Sequence, residues 1–174
     1  MDQQPPAVAP SIARRAADAA AQAARLRQAA RTLRQLAGTI KYHPATGQRP
    51  VPTAALTGAL EALTLVLNEI QRDAVERSRD EAAVAALDDA AAARVRFGHM
   101  AVDQGAQFTA AAVEVLWGML TSSDDATLDA PYGHGAPKRP HPGALSTVVA
   151  ERAEHLATAL ETVTILKANL SSDR

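Results

Sequence analysis

Apolar residues recur along most of the chain at alternating spacings of four and three, the pattern of helices that pack in coiled-coil fashion. The first seam runs without interruption through Ile12, Ala16, Ala19, Ala23, Leu26, Ala30, Leu33, Ala37 and Ile40. It predicts helix one over about 12–41, with Ser11 as its N-cap. The helix is expected to end before Pro44, because a residue preceding proline is pushed out of helical geometry. Residues 1–10, rich in Pro and Gln, are predicted to be a disordered tail.

A second seam of larger side chains predicts helix two over 54–77, after a proline-rich loop at 43–52. Its members are Leu56, Leu60, Leu63, Leu67, Ile70 and Ala74. Continued further, the spacing would bury Arg77 and Glu81, and Ser78-x-x-Glu81 forms a capping box for a new helix. A break near 77–80 is therefore predicted. One helix from 54 to about 97 is the alternative, because no Gly or Pro interrupts that interval.

Helix three is predicted over 80–120, and its apolar residues fall into two phases. The first phase contains Val84, Leu87 and Ala91, and the second contains Phe97, Ala101, Phe108, Ala112, Val115 and Met119. Gly98 and Gly105 lie near the junction, and glycine is a common cause of helix kinks, so a bend near 97–105 is predicted. Phe97, Phe108, Met100 and Met119 are expected to fill the core.

Helix four is predicted over 144–171, after a long loop at 122–143 rich in Gly, Pro and Ser. Its seam contains Leu145, Val149, Leu156, Leu160, Val163 and Leu170. Four helices in 174 residues, joined by connections mostly marked by Pro or Gly, predict one all-α domain over 11–172. The expected architecture is an up-and-down four-helix bundle.

The composition points to a thin core. Apolar residues make up 47% of the chain, but roughly a quarter of all residues are Ala, which bury little area each. Extra burial through self-association is therefore expected, as a dimer or with another helical protein. The chain has no cysteine, which excludes disulfides, thiol catalysis and Cys-based metal sites.

Charge is unevenly distributed although the formal net charge is −1. Residues 1–42 carry seven Lys or Arg against two acids, whereas residues 80–125 carry eight acids against Arg94 and Arg96. We expect helices one and three to be neighbours that attract each other. A basic docking face on helix one, formed by Arg27, Arg31 and Arg34, is the alternative.

No apolar run reaches the eighteen or so residues of a membrane span, and the N-terminus lacks an apolar signal region. A cytoplasmic protein without membrane contact is expected. Residues 12–41 share the Arg-rich, acid-poor character of a mitochondrial presequence, but their apolar spacing is too long and regular for a leader that is removed.

Common catalytic motifs are absent, including phosphate-binding loops, nucleophile elbows and zinc-protease helices. The arrangement closest to a chemical site is a pair of helical turns, His99 with Asp103 and Glu151 with His155. If they met inside the bundle, they would suit divalent zinc, iron or manganese. Exposed ion pairs on each helix are the simpler interpretation, so no cofactor is expected.

Nucleic acid is the remaining partner class. Arg27, Arg31 and Arg34 form one stripe that could follow phosphates. Two observations argue against nucleic-acid binding. Helix two is not basic, and aromatic residues make up only 3% of the chain, which provides little surface for stacking bases. Trp117 lies beside a predicted core face and is read as a packed or interface tryptophan.

These patterns favour a non-enzymatic helical bundle that self-associates or binds a helical partner. A bundle holding a metal or small ligand, conceivably as an enzyme, is the second hypothesis. A nucleic-acid accessory protein using helix one is the third. The sequence does not identify the biological process.

Overall fold

The computed structural model describes residues 9–40, 53–79, 84–121 and 142–172. Four helices cover nearly all of them: α1 (Ala9–Thr39), α2 (Thr53–Arg79), α3 (Asp89–Thr121) and α4 (Pro142–Ser172). The predicted all-α four-helix bundle is confirmed. The predictions for residues 1–8 and for the loops at 43–52 and 122–141 lie outside the described residues.

The helices form a ring in which each packs against its two chain neighbours and α4 closes on α1. The α1–α4 and α3–α4 pairs have the most extensive contacts, and neither diagonal pair touches within the described ranges. Gln22 of α1 pairs with Asp73 of α2, and Arg25 pairs with Glu69. The residue number of the partner on α2 therefore falls as the number on α1 rises. Neighbouring helices are thus antiparallel, as in an up-and-down bundle.

The predicted seams of α1, α2 and α4 form the core. All five large members of the α2 seam are 3% exposed or less. The corresponding core residues of α1 and α4 are Ala23, Leu26, Ala30, Leu33, Ile40, Val149, Leu156, Leu160 and Val163. Of the described helices, α2 alone, over Thr53–Ser78, is long and apolar enough to cross a membrane. Four of its five leucines are buried inside the bundle, and Leu65 is exposed.

Helix α3 begins later than predicted. The break after helix two is confirmed, but Ser78 lies inside α2, where its hydroxyl donates to the carbonyl of Ala74. The cap of α3 is Asp88, whose carboxylate accepts from the backbone N–H of Ala91 at 2.9 Å. Leu87 packs with Ala92 just outside this cap, a hydrophobic staple that fixes the entry of the chain.

The other helix ends differ by small amounts. Helix α1 begins at Ala9, so Ser11 lies inside the helix and is not its N-cap. Pro10 is tolerated there because the N–H groups of the first turn have no partner within the helix. Helix α4 begins at Pro142, a residue favoured at the first helical position.

Two glycines bring α3 close to α4. A β-carbon built on Gly98 would lie 2.6 Å from Cγ2 of Val163, and one on Gly105 would lie 3.3 Å from Cδ1 of Leu156. These are the residues from which the bend in helix three was predicted. Their contacts with α4 give a second reason for glycine at these positions, because the two helices approach more closely than larger residues would allow. The bend itself stays a prediction.

Candidate interaction surfaces

Helix α3 exposes both of its phenylalanines, whereas its buried face consists of aliphatic, small and hydroxyl side chains. Its buried face consists of Ala91, Ala92, Val95, Gly98, Val102, Ala106, Thr109, Val113 and Leu116. Phe97 is 67% exposed, Phe108 59% and Val115 53%. The prediction that Phe97, Phe108 and Met100 fill the core was therefore wrong. The core follows the first apolar phase of the helix, whereas Phe97, Phe108 and Val115 of the second phase are exposed and its Ala112 packs against the core.

The outward residues lie in a continuous line along the helix. At alternating spacings of four and three, the line contains Phe97, Ala101, Gln104, Phe108, Ala111, Val115 and Gly118, which we term the outer row. Apart from the half-buried Ala101, its members are exposed. This is the spacing of a coiled-coil seam on the face of α3 away from the core.

The outer row is free of charge along its length. Between Phe97 and Val113 the only Asp, Glu, Lys or Arg residue is Asp103. Asp103 turns toward α2, where it accepts a hydrogen bond from Nη2 of Arg77 at 2.5 Å. The same nitrogen donates to the carbonyl of Ile70 at 3.1 Å. The carboxylate of Asp103 is thus paired with Arg77 of the same chain and does not lie on the outer row.

Arg152 of α4 borders the outer row. Its guanidinium lies over the ring of Phe108, 5.7 Å from the centroid. A cation–π contact of this kind at an exposed site contributes about 0.5–1 kcal/mol. It covers one face of the ring and holds it against the α4 side of the row.

The arginines predicted as a docking face on α1 have partners on α4. Arg27 forms a two-bond pair with Glu161, and Arg34 forms one with Glu154. Both pairs bridge the two helices with the same seven-residue step. The attraction expected between helices one and three was misplaced, because those helices lie diagonally and the acids that α1 meets belong to α2 and α4.

Hydrogen bonding within these pairs shifts the pKa values of both partners. The guanidinium groups lower the pKa of Glu154 and Glu161, chiefly through the side-chain hydrogen bonds. Arg25 acts in the same way on the pKa of Glu69 of α2. The pKa values of the three arginines are raised for the same reason. These pairs stabilise the contacts of α1 with its neighbours.

Arg31 and Trp117 complete the predicted partner-binding residues. Arg31 is exposed and donates to the side-chain oxygen of Gln28 at 2.6 Å. Trp117 is half-buried and packs against the main core. Arg31 thus stays on the surface, whereas Trp117 is partly engaged in packing.

A shallow charged groove lies between α1 and α2, lined by Asp18, Ala21, Gln22, Arg25, Glu69, Arg72 and Asp73. The buried Gln22 donates to Asp73 at 2.7 Å across its floor. Arg25 and Glu69 pair with each other at its side. Its polar groups thus join the two helices.

The four predicted metal ligands are not brought together as a set. Asp103 is paired with Arg77 on the α2 side of α3, whereas Glu151 and His155 are exposed on α4. His99 is half-buried. Within the part of the chain that the structure describes, no three His, Asp or Glu side chains are grouped in a way that could hold a metal ion.

Within the described residues, the fold and these surfaces define an all-α four-helix bundle in which α3 exposes a line of apolar side chains. In comparisons with known proteins, no family model, curated protein or solved structure matches the chain.

Proposed function

We propose that this chain is a non-enzymatic helical-bundle protein that acts by self-association, with the outer row of α3 as its contact surface. The observation that supports the proposal most directly is the exposure of Phe97, Phe108 and Val115 in one line. Single exposed apolar residues are ordinary on protein surfaces. Several large apolar side chains exposed on one face of a helix are instead typical of an interaction site.

The distribution of side-chain size along α3 supports the same proposal. The buried face of α3 consists of glycine, alanine, threonine, valine and one leucine, and contains no aromatic side chain. The aromatic residues that could supply more burial lie outside. A second molecule that covered them would add the burial that the core of the single chain lacks.

Charge supports a protein partner over nucleic acid. Arg27 and Arg34 are engaged with Glu161 and Glu154, which reduces the positive field available to phosphates. The outer row itself carries no cation. The proposal takes the protein to be cytoplasmic, which is consistent with the burial of four of the five α2 leucines inside the bundle.

Sedimentation velocity of the full chain over a concentration series tests the proposal. We expect a dimer for the unmodified chain and a monomer for Phe108→Glu, because the substitution replaces an aromatic ring of the row with a charged group that would lose its water in the contact. Leu65→Glu is the matched control, since Leu65 is 64% exposed on α2 and lies off the row. Circular dichroism would establish that both variants remain helical.

Two results would overturn the proposal. One is a chain that stays monomeric at every concentration. The other is association that survives Phe108→Glu with unchanged affinity, since this would place the contact elsewhere.

A further inference from the structure

We infer that two copies of this chain pair through their outer rows in antiparallel orientation, about a two-fold axis at the level of Ala106. This inference rests on the proposed self-association and specifies its geometry. The outer row is covered by the outer row of a second copy. Each residue of one row lies opposite a different residue of the other row.

The spacing of the outer row is symmetric about Ala106. Phe97 and Val115 each lie nine residues from it, and Ala101 and Ala111 each lie five. Gln104 and Phe108 each lie two residues away. An antiparallel pair centred there would place every member from 97 to 115 opposite another member of the row.

The side-chain sizes fit this register. The large Phe97 would meet the smaller Val115, and Ala101 would meet Ala111. The ring of Phe108 would meet Gln104, whose flexible side chain can lie along it. In a parallel pair, by contrast, each residue would face the same residue of the second copy. Phe97 would meet Phe97, Phe108 would meet Phe108, and each alanine would meet the same alanine. That register alternates crowded and empty layers, which pack less well.

The charges at the two ends of the row complement each other in the antiparallel arrangement alone. Arg96 and Glu114 are both exposed and lie 18 residues apart, a whole number of helical turns, so they share one edge of the row. In an antiparallel pair the same edges of the two helices meet. Arg96 of each copy would then lie near Glu114 of the other, giving two ion pairs by symmetry. In a parallel pair opposite edges of the two helices meet, so Arg96 and Glu114 of one copy would lie on the other side of the contact from those of the second copy.

Cysteine pairing tests the geometry cleanly, because the natural chain has no cysteine. Ala101→Cys and Ala111→Cys are prepared separately, one with an affinity tag, then mixed and oxidised. The antiparallel pair brings position 101 of one copy to position 111 of the other. Two copies of position 101 would lie about 15 Å apart along the helix axis. That exceeds the ~7 Å between α-carbons that a disulfide can span.

We therefore expect a mixed disulfide dimer and little self-linked product from either variant. Self-linked dimers of each variant without the mixed product would overturn the antiparallel geometry in favour of a parallel one. A dimer in sedimentation that forms none of these disulfides would exclude the outer row in this register. A monomer in sedimentation would contradict the proposed function itself, so the two failures are distinguishable.

Charge exchange gives a second, independent readout. Arg96→Glu and Glu114→Arg should each weaken the dimer by about fivefold, since each breaks both symmetric ion pairs. The double variant should recover the original dissociation constant within about twofold, because the same pairs form with their signs exchanged. Single variants that leave the constant unchanged, or a double variant weaker than either, would overturn the assignment.

Discussion

Gly98 of α3 lies so close to Val163 of α4 that a β-carbon on the glycine would be 2.6 Å from Cγ2 of the valine. The valine is β-branched and cannot turn aside freely. The closeness of α3 to α4 therefore depends on the absence of a side chain at this position.

Gly98→Ala tests this contact. Alanine favours a helix over glycine by about 1 kcal/mol, but overpacking a core typically costs about 1–3 kcal/mol. We expect a net loss of stability, measured by urea unfolding. Gly58→Ala is the matched control, because no atom lies within 4 Å of its added carbon and stability should rise. A stabilised Gly98→Ala variant would show that the helices can separate without loss.

The N-cap of α3 gives a second prediction. Asp88→Ala removes the acceptor for the N–H of Ala91 and should lower the free energy of unfolding by about 0.5–2 kcal/mol. Asp88→Asn should retain most of that stability, because asparagine caps equally well. Equal losses for both variants, in thermal or urea unfolding, would mean that the negative charge matters and the cap does not.

The contact between Arg77 and Asp103 predicts an asymmetry. The Arg77 side chain is 13% exposed and that of Asp103 is 43% exposed. Asp103→Ala leaves a largely buried guanidinium without its carboxylate, which should cost about 1–3 kcal/mol. Arg77→Met replaces the cation with an apolar chain and leaves an acid that water can reach, so it should cost less. The reverse order in equilibrium unfolding would contradict the assigned burial.

The ion pairs on α1 predict how stability depends on pH. The pKa values of Glu69, Glu154 and Glu161 are lowered in the folded chain, so the contribution of these groups is present above their ordinary value of 4.5. It is lost as the pH falls through the lowered values. The stability difference between the natural chain and a variant with Gln at these three positions should thus vanish in acid.

The effect should be small, since one side chain of each pair is more than a third exposed. It should also shrink in high salt. A difference that persists unchanged at pH 2, measured by urea unfolding, would indicate that the glutamates act through packing and not through charge.

Much of the fold follows from the sequence, because the seams of α1, α2 and α4 contain large residues at regular spacing. Leu26, Leu60 and Leu156 are buried where the pattern predicts. Helix α3 breaks this rule. Its core face contains Gly98, Gly105 and Thr109, which carry little hydrophobic signal, so the pattern of large residues led to the wrong face.

The sequence also did not predict which helices would form ion pairs with each other. Segment charge does not report which face carries each group, and the acids that meet α1 are Glu69, Glu154 and Glu161 on two other helices. The seven-residue step shared by Arg27 and Arg34 with Glu154 and Glu161 was the available signal. The cap at Asp88 was likewise present in the sequence, but the Ser78-x-x-Glu81 box competed with it.

The central claim, that a second copy covers the outer face of α3, is tested most directly by hydroxyl-radical footprinting at high and low protein concentration. Phe97, Met100 and Phe108 should be protected when the protein is concentrated and should become reactive on dilution. Leu65, exposed on α2, should react equally at both concentrations. Equal reactivity of the two phenylalanines at every concentration, in samples that sedimentation shows to be dimeric, would contradict the account.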